Sequence, residues 1–181
     1  RLLGVKPHGL GQSVVPLLQH RLISPRYLID IKGMTELEYI RSDGDIIRIG
    51  SLTTHRAVET SPLIKEKCPM LAEMERQVAS VPIRNWGTLG GSLCHADPDG
   101  DPGVALMALG AKVKAMSSKG EREIALGAFF AGFLETVLQP DEILVEIAVP
   151  VFGPGKAGAY CKEAVRAGDM AIASAAVVVA W

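Results

Sequence analysis

Two short runs of small residues are where this sequence could do chemistry with its backbone: Gly9-Leu10-Gly11-Gln12-Ser13 and Thr88-Leu89-Gly90-Gly91-Ser92. Glycines at the start of a helix leave N–H groups unshielded by Cβ, so those groups can converge on an anion such as a pyrophosphate without a lysine nearby. Ser13, Thr88 and Ser92 would add hydroxyl donors to the same oxygens. Neither run completes a nucleotide fingerprint. Val14 stands where G-x-G-x-x-G needs its last glycine, and Gly155-Lys156-Ala157 has Ala where a P-loop needs a hydroxyl. Read alone, each run is equally an ordinary turn.

The stretch Cys94-His95-Ala96-Asp97-Pro98-Asp99-Gly100-Asp101 gathers metal-ligand types but not their spacing. As a calcium loop it has Pro102 at the required glycine and Ala108 at the bidentate glutamate. As a zinc site it lacks a C-x-x-C or H-E-x-x-H partner, so the reading is a solvated acidic turn and no metal. Gly11-Gln12-Ser13 and Gly90-Gly91-Ser92 both miss the closing glycine of a nucleophile elbow. His8 and His55 are isolated and read as surface or helix-start histidines. The Met74/Val78 stripe reads as core. Arg84-Asn85, directly before Trp86-Gly87, either braces the glycine turn by hydrogen bonds or makes a surface salt bridge.

Short elements must position these groups. Residues 12–23 have helical spacing, with Pro16 in the first turn, and residues 27–31 read as a short buried strand. Residues 37–40 and 46–49 flank Ser42-Asp43-Gly44-Asp45 as a β-hairpin. A helix capped by Thr53 or Thr54 runs through Val58, a further turn spans 63–67, and Pro69 opens a helix with Met70, Leu71, Met74 and Val78 on one face. Residues 79–103 break all periodicity and are the expected seat of function. Beyond them come a helix over 104–109, a hairpin of 111–116 with 122–126, and a short helix led by Phe129 and Phe130. A strand over 142–149 and a last hairpin of 160–166 with 171–179 complete the series. Strands and helices mixed this way give an α+β fold.

Composition excludes several partners. The 181 residues are 48% hydrophobic and 22% charged, with 19 basic against 20 acidic side chains, which gives no electrostatic footprint for nucleic acid. The longest apolar run, Ala171 to Trp181, is far short of the ~20 residues a membrane span needs, and no charged-then-apolar leader opens the sequence. The expected location is cytoplasmic. Three cysteines, Cys68, Cys94 and Cys161, suit reduced thiols better than a disulfide framework. A start at Arg1 and an end at Trp181 within an apolar run lead us to expect a piece of a longer protein.

Taken in order, the motifs are more specific than any one of them. The run from Ile83-Arg84-Asn85-Trp86-Gly87-Thr88 through His95-Ala96-Asp97-Pro98, with Asp101 beyond, resembles the "IRN-GT-GG-L-HADP--D" signature of the FAD-binding medium subunit of molybdenum hydroxylases, the carbon monoxide and xanthine dehydrogenase family. Gly9 to Leu18 is similar to the family's "AGGQSLLPLL", and Ile49 to His55 to its "IGA-TTH". Leu10 replaces a customary glycine, and Ser92 a customary Asn.

The resemblance implies a two-lobed α+β flavin fold. Its lobes would be residues 1–52, 53–150 and the start of a C-terminal lobe at 151–181, with both ends truncated. FAD would stretch between lobes. Its phosphates would be lined by His8, Gly9, Leu10, Gly11, Gln12, Ser13, Val14 and Val15 on one side and by Thr88, Leu89, Gly90, Gly91 and Ser92 on the other. Asp101 would hydrogen-bond the cofactor, and Val78, Leu144 and Lys162 would approach it laterally. The same resemblance implies electron transfer from a large molybdopterin subunit through [2Fe–2S] clusters of a small iron–sulfur subunit to this FAD. Two alternatives stay open: a flavin-fold scaffold that no longer binds FAD, and a metal-dependent hydrolase using His95, Asp97, Asp99 and Asp101.

Overall fold

In the computed structural model, which describes residues 12–181, one antiparallel sheet carries a layer of short helices. The helix after the first glycine run is α1 (Val14–Gln19), shorter than its apolar spacing suggests. The Asp43-Gly44 turn forms as expected, with Gly44 at φ +59°, and joins β1 (Ile40–Asp43) to β2 (Ile46–Gly50).

Caps and prolines then cut the chain into short helices. Thr54 accepts from Ala57 N–H to start α2 (His55–Thr60), and Ser61 accepts from Ile64 N–H, with Pro62 behind it, to start α3 (Pro62–Lys67). Pro69 opens α4 (Pro69–Gln77), and Pro82 stands in the first turn of α5 (Val81–Trp86). Thr88 caps α6 (Leu89–His95), which ends on Ala96 in the left-handed region at φ 54°. Pro102 lies in the first turn of α7 (Asp101–Ala108). The expectation that residues 79–103 lack regular structure is therefore corrected: most of the segment is helical, in pieces of six or seven residues. Such pieces complete fewer than two turns and cannot show a periodicity.

β3 (Lys112–Ser117) and β4 (Gly120–Ala125) form the second predicted hairpin. The tiny pair β5 (Phe130–Gly132) and β6 (Glu135–Thr136) follows, then β7 (Ile143–Pro150). Phe129 and Phe130 therefore do not lead a helix. Phe129 closes a 3-10 turn and is fully buried, and its ring meets Phe130 edge-on at 5.5 Å. The sheet order is β1-β2-β7-β3-β4. Ile47, Ile49, Val113, Ile147 and Val149 from the sheet pack with Val58, Ile64, Leu71, Met74, Leu89, Leu93 and Leu106 from the helices. Each such burial contributes about 1.5–3 kcal/mol.

The central strand β7 carries the detail that matters for the site. Lys114 pairs with Glu146 but Ala115 pairs with Leu144, so Val145 bulges out of the ladder. The extra residue reverses which face each side chain takes. Val145 joins a small cluster with Leu37 and Leu52, while Leu144 turns into the main core toward α6.

β8 (Lys156–Glu163) and β9 (Ala173–Ala180) form the last predicted hairpin and pack on α4 and α7. Residues 27–31 are not a buried strand. They have no strand partner among the described residues, and Tyr27, Leu28 and Ile29 are all exposed. The division expected at residue 52 runs through the sheet, because β2 on one side is bonded to β7 on the other. Among the described residues no helix is long and apolar enough to cross a membrane.

Candidate functional site

The second glycine run sits where α2 and α6 start side by side. Thr54 and Thr88 form an isolated antiparallel bridge: His55 N–H donates to Gly87 O and Leu89 N–H to Thr53 O, both at 3.0 Å. The following amides are also engaged. Gly90 N–H donates to Ser51 O at 3.0 Å, Gly91 N–H to Thr88 Oγ1 at 3.1 Å, and Ser92 N–H to Thr88 O at 3.0 Å. The expectation of free amides is thus corrected for Leu89 to Ser92. The threonine cap and the bridge satisfy these donors within the protein, as buried backbone groups require.

What the glycines supply instead is close approach. A Cβ on Gly90 would lie 2.6 Å from Ser51 O and 2.8 Å from Leu144 Cδ2, so α6 can seat against Ser51 and the bulged strand only without a side chain there. A groove runs along this contact. Gly90 and Gly91 line it together with Ile31, Leu52, Ile143 and Leu144, and Ser51 and Cys94 lie within it. Among the described residues, the buried Ser51 Oγ has no hydrogen-bond partner. Burial pushes the Cys94 thiol up to about 12, so it is no thiolate nucleophile.

The described end of the first glycine run lies near the start of the second. His8, Gly9, Leu10 and Gly11 lie outside the described residues. Gln12 and Ser13 are exposed, Val14 is buried and Val15 half-exposed. Gln12 Cγ lies 3.7 Å from the position a Cβ on Gly87 would take, so the ends of the two runs meet although 75 residues separate them.

A second group of predicted residues gathers at the C-terminal end of α4. Lys162 Nζ donates to Asp101 Oδ2 at 2.8 Å and to Gln77 O at 3.1 Å, and Tyr160 Oη donates to Asp101 Oδ1 at 2.6 Å. The lysine and aspartate side chains are 4% and 7% exposed, so this is a buried, hydrogen-bonded ion pair. Burial, reinforced by the bond to Asp101, holds the Tyr160 phenol far above its ordinary range. Val78 follows Gln77 directly and is half-buried. Its carbonyl accepts from Arg84 Nη1 at 2.7 Å, as Ala79 O does at 3.1 Å, and Arg84 Nε donates to Glu59 Oε2 at 2.9 Å. Arg84 is therefore neither a surface ion pair nor a brace of the glycine turn; it is buried and fixes the backbone at residues 78–79. Burial alone would raise the Glu59 carboxyl, but bonds from Arg56 and Arg84 outweigh it and hold it low.

The predicted residues thus form two clusters, at Thr88–Ser92 with Leu144 and at Asp101–Lys162 with Val78, tied together through α4. Sequence reasoning missed the tie. His55 was expected to be isolated, yet it is 2% exposed, with Nδ1 2.7 Å from Glu75 Oε2 on α4 and Nε2 2.7 Å from Ser92 Oγ on α6. No local pattern marks Glu75, which sits 20 residues away. The hydrolase alternative fails on geometry. Asp101 is turned to Tyr160 and Lys162, His95 and Asp97 stand 3.7 Å apart, and no group of three or more possible ligands converges among the described residues.

Known proteins resemble this chain in sequence and in fold. Residues 5–152 match the family described as the FAD binding domain in molybdopterin dehydrogenase. The glyceraldehyde dehydrogenase medium chain of Sulfolobus acidocaldarius is 35% identical over 174 residues, 96% of this chain and 62% of the relative. The 6-hydroxypseudooxynicotine dehydrogenase complex subunit alpha of Paenarthrobacter nicotinovorans is 41% identical over 93% of this chain and 57% of its own length. A solved carbon monoxide dehydrogenase from Hydrogenophaga pseudoflava superposes with a TM-score of 0.92 at 36% identity, covering 94% of this chain and 59% of that one. The chain spans about three fifths of the length of these relatives. With an α+β architecture superposing this closely and a family match over most of its residues, the chain belongs to the FAD-binding domain family of the molybdopterin dehydrogenases.

Proposed function

We propose that this chain is the flavin-binding part of a multi-subunit molybdenum hydroxylase of the carbon monoxide/xanthine dehydrogenase type, a cytoplasmic dehydrogenase. Its partners would be a large molybdopterin subunit and a small subunit with [2Fe–2S] clusters. FAD, when bound, supplies the redox chemistry, taking electrons from those clusters and delivering them to an external acceptor. The protein's own task is to bind, orient and exclude water, so no side chain needs to act as acid, base or nucleophile.

The observation that carries this reading is the meeting of Gln12 with Gly87 just before α6, whose Gly90 and Gly91 line a groove in which Ser51 Oγ has no partner among the described residues. A buried polar atom without a partner favours a ligand that supplies one. Its walls Ile31, Leu52, Ile143 and Leu144 are apolar, and Gly90 and Gly91 leave its α6 edge without side chains. In this assignment His8 to Val15 and Thr88 to Ser92 flank the phosphates, and Leu144 stands at the ring side. Because the amides of Leu89 to Ser92 are engaged, the phosphate donors come from the first run and from hydroxyls. Asp101 and Lys162 hold the end of α4, and Val78 with it, in place. The lobes would divide the chain near the cofactor, with the β8–β9 hairpin beginning the third.

The test is direct. Full-length protein mixed with FAD and desalted should keep the visible flavin bands at about one per chain and melt at a higher temperature, as any ligand of the native state requires. A colourless protein with an unchanged melting temperature refutes the reading and leaves a scaffold that keeps the fold without the cofactor.

A further inference from the structure

A second concave site opens between α2, α3 and α4 and shares no residue with the groove at the glycine run. It has a volume of about 450 Å³, and each of the three helices contributes one cation to its wall: Arg56, Lys65 and Arg76. Its two carboxylates do not neutralise it. Glu59 is already committed, because Oε1 accepts from Arg56 Nη1 at 2.8 Å and Oε2 from the buried Arg84 Nε at 2.9 Å, so one carboxylate serves two guanidiniums. Glu73 makes no ion pair among the described residues, although Arg76 stands one turn along the same helix. Lys65 and Arg76 likewise have no hydrogen-bond or ion-pair partner among them, and Arg56 uses only Nη1. With Arg84 behind it, the pocket gathers four cations against two carboxylates in a chain whose formal net charge is −1.

Like charges brought together from three separate elements repel, and a concave wall of one sign focuses their field, so the partner that relieves them is negative. It is also larger than a single ion. The space falls in the ~300–1,000 Å³ range of small organic ligands, and donors on three helices are met together only by acceptors at more than one end of a molecule. Pro69 and Ala72 add apolar wall between the charged groups. We propose that this pocket binds a small organic polyanion, a phosphate ester or a polycarboxylate, through Arg56, Lys65 and Arg76. None of these residues belongs to the FAD assignment, so the site goes beyond that reading and stands apart from it.

Calorimetric titration of the full-length protein at low salt tests this, with pyrophosphate and citrate as probes and FAD in excess to fill the glycine-run site. One anion should bind per chain and loosen as salt rises. Lys65→Ala and Arg76→Ala should each weaken it at least tenfold, the worth of a charge-assisted hydrogen bond, while Glu73→Gln should tighten it. Lys65, Glu73 and Arg76 are exposed, so all three variants should melt with the parent. Tighter binding of pyrophosphate assigns the phosphate-ester class, and tighter binding of citrate the polycarboxylate class. Failure of both anions to bind, or equal affinity in parent and in the Lys65→Ala, Arg76→Ala double variant, overturns the proposal. A protein that takes up no FAD yet binds either anion through these residues defeats the function proposed above and supports this site.

Discussion

Alanine at Gly90 probes the closest backbone approach in the site. The new Cβ would lie 2.6 Å from both Ser51 Cβ and Ser51 O and 2.8 Å from Leu144 Cδ2, so α6 or the Ser51 segment must retreat by about 0.8 Å to reach ordinary contact at 3.4 Å. Overpacking by one methyl costs about 1–3 kcal/mol, and rigid opponents, a carbonyl and a Cβ, put this site at the upper end. Alanine's helix preference returns about 1 kcal/mol. The net loss is about 2 kcal/mol, or a melting temperature lower by about 4–8 °C for a protein of this size, read by circular dichroism. FAD retention should fall further than stability does, because the displaced segment is the groove itself. Gly103→Ala is the control. Its Cβ would meet only the tip of the Phe130 ring at 3.3 Å, which can rotate aside, so stability should stay level or rise slightly. A Gly90→Ala protein as stable as the parent, or a Gly103→Ala protein that loses as much, refutes the packing argument.

Other outcomes follow from the same contacts. Asp101→Asn leaves Lys162 buried without its carboxylate and should cost about 3 kcal/mol in urea denaturation, whereas Asp101→Asn with Lys162→Met should cost less than the two single losses added. Glu142 takes a two-pronged bond from Arg122, at 2.7 and 2.8 Å, and a third from Gln139 N–H, and the Arg122 bond holds its carboxyl down at about 2. A depressed carboxyl stabilises the fold fully above its unfolded value and loses that contribution as pH falls through 2. Glu142→Gln should therefore melt lower at pH 7 by about 1 kcal/mol and converge with the parent near pH 2. Iodoacetamide at pH 8 should label the exposed Cys161 while sparing Cys68 and Cys94, whose thiols burial pushes up to about 11 and about 12; equal labelling of all three in native protein would contradict the packing.

The sequence was most informative where chemistry is local. The Asp43-Gly44 hairpin and the Ser61-Pro62 and Pro69 helix starts all follow from turn residues and caps acting within four positions. Elements too short to repeat stayed illegible. In α5 and α6 the signals were single residues, Pro82, Thr88 and the left-handed Ala96, and not a period. Residues 27–31 look like a strand because they are apolar, but composition does not supply a neighbour to pair with. The two glycine runs were visible as runs, while the close seat of Gly90 depends on the β7 bulge that turns Leu144 toward it, and nothing near Val145 announces it. Arg84 and His55 were visible as residues and misplaced in environment, because their partners Glu59 and Glu75 lie 25 and 20 positions away.

A crystal structure of the full-length protein soaked with FAD tests the central claim most directly. We expect density with the diphosphate between Gln12–Ser13 and Thr88, and the ring system against Gly91 and Leu144 in the groove that holds Ser51. Density that leaves this groove empty and settles elsewhere, such as on the basic surface of Arg56, Lys65 and Arg76, would contradict the account.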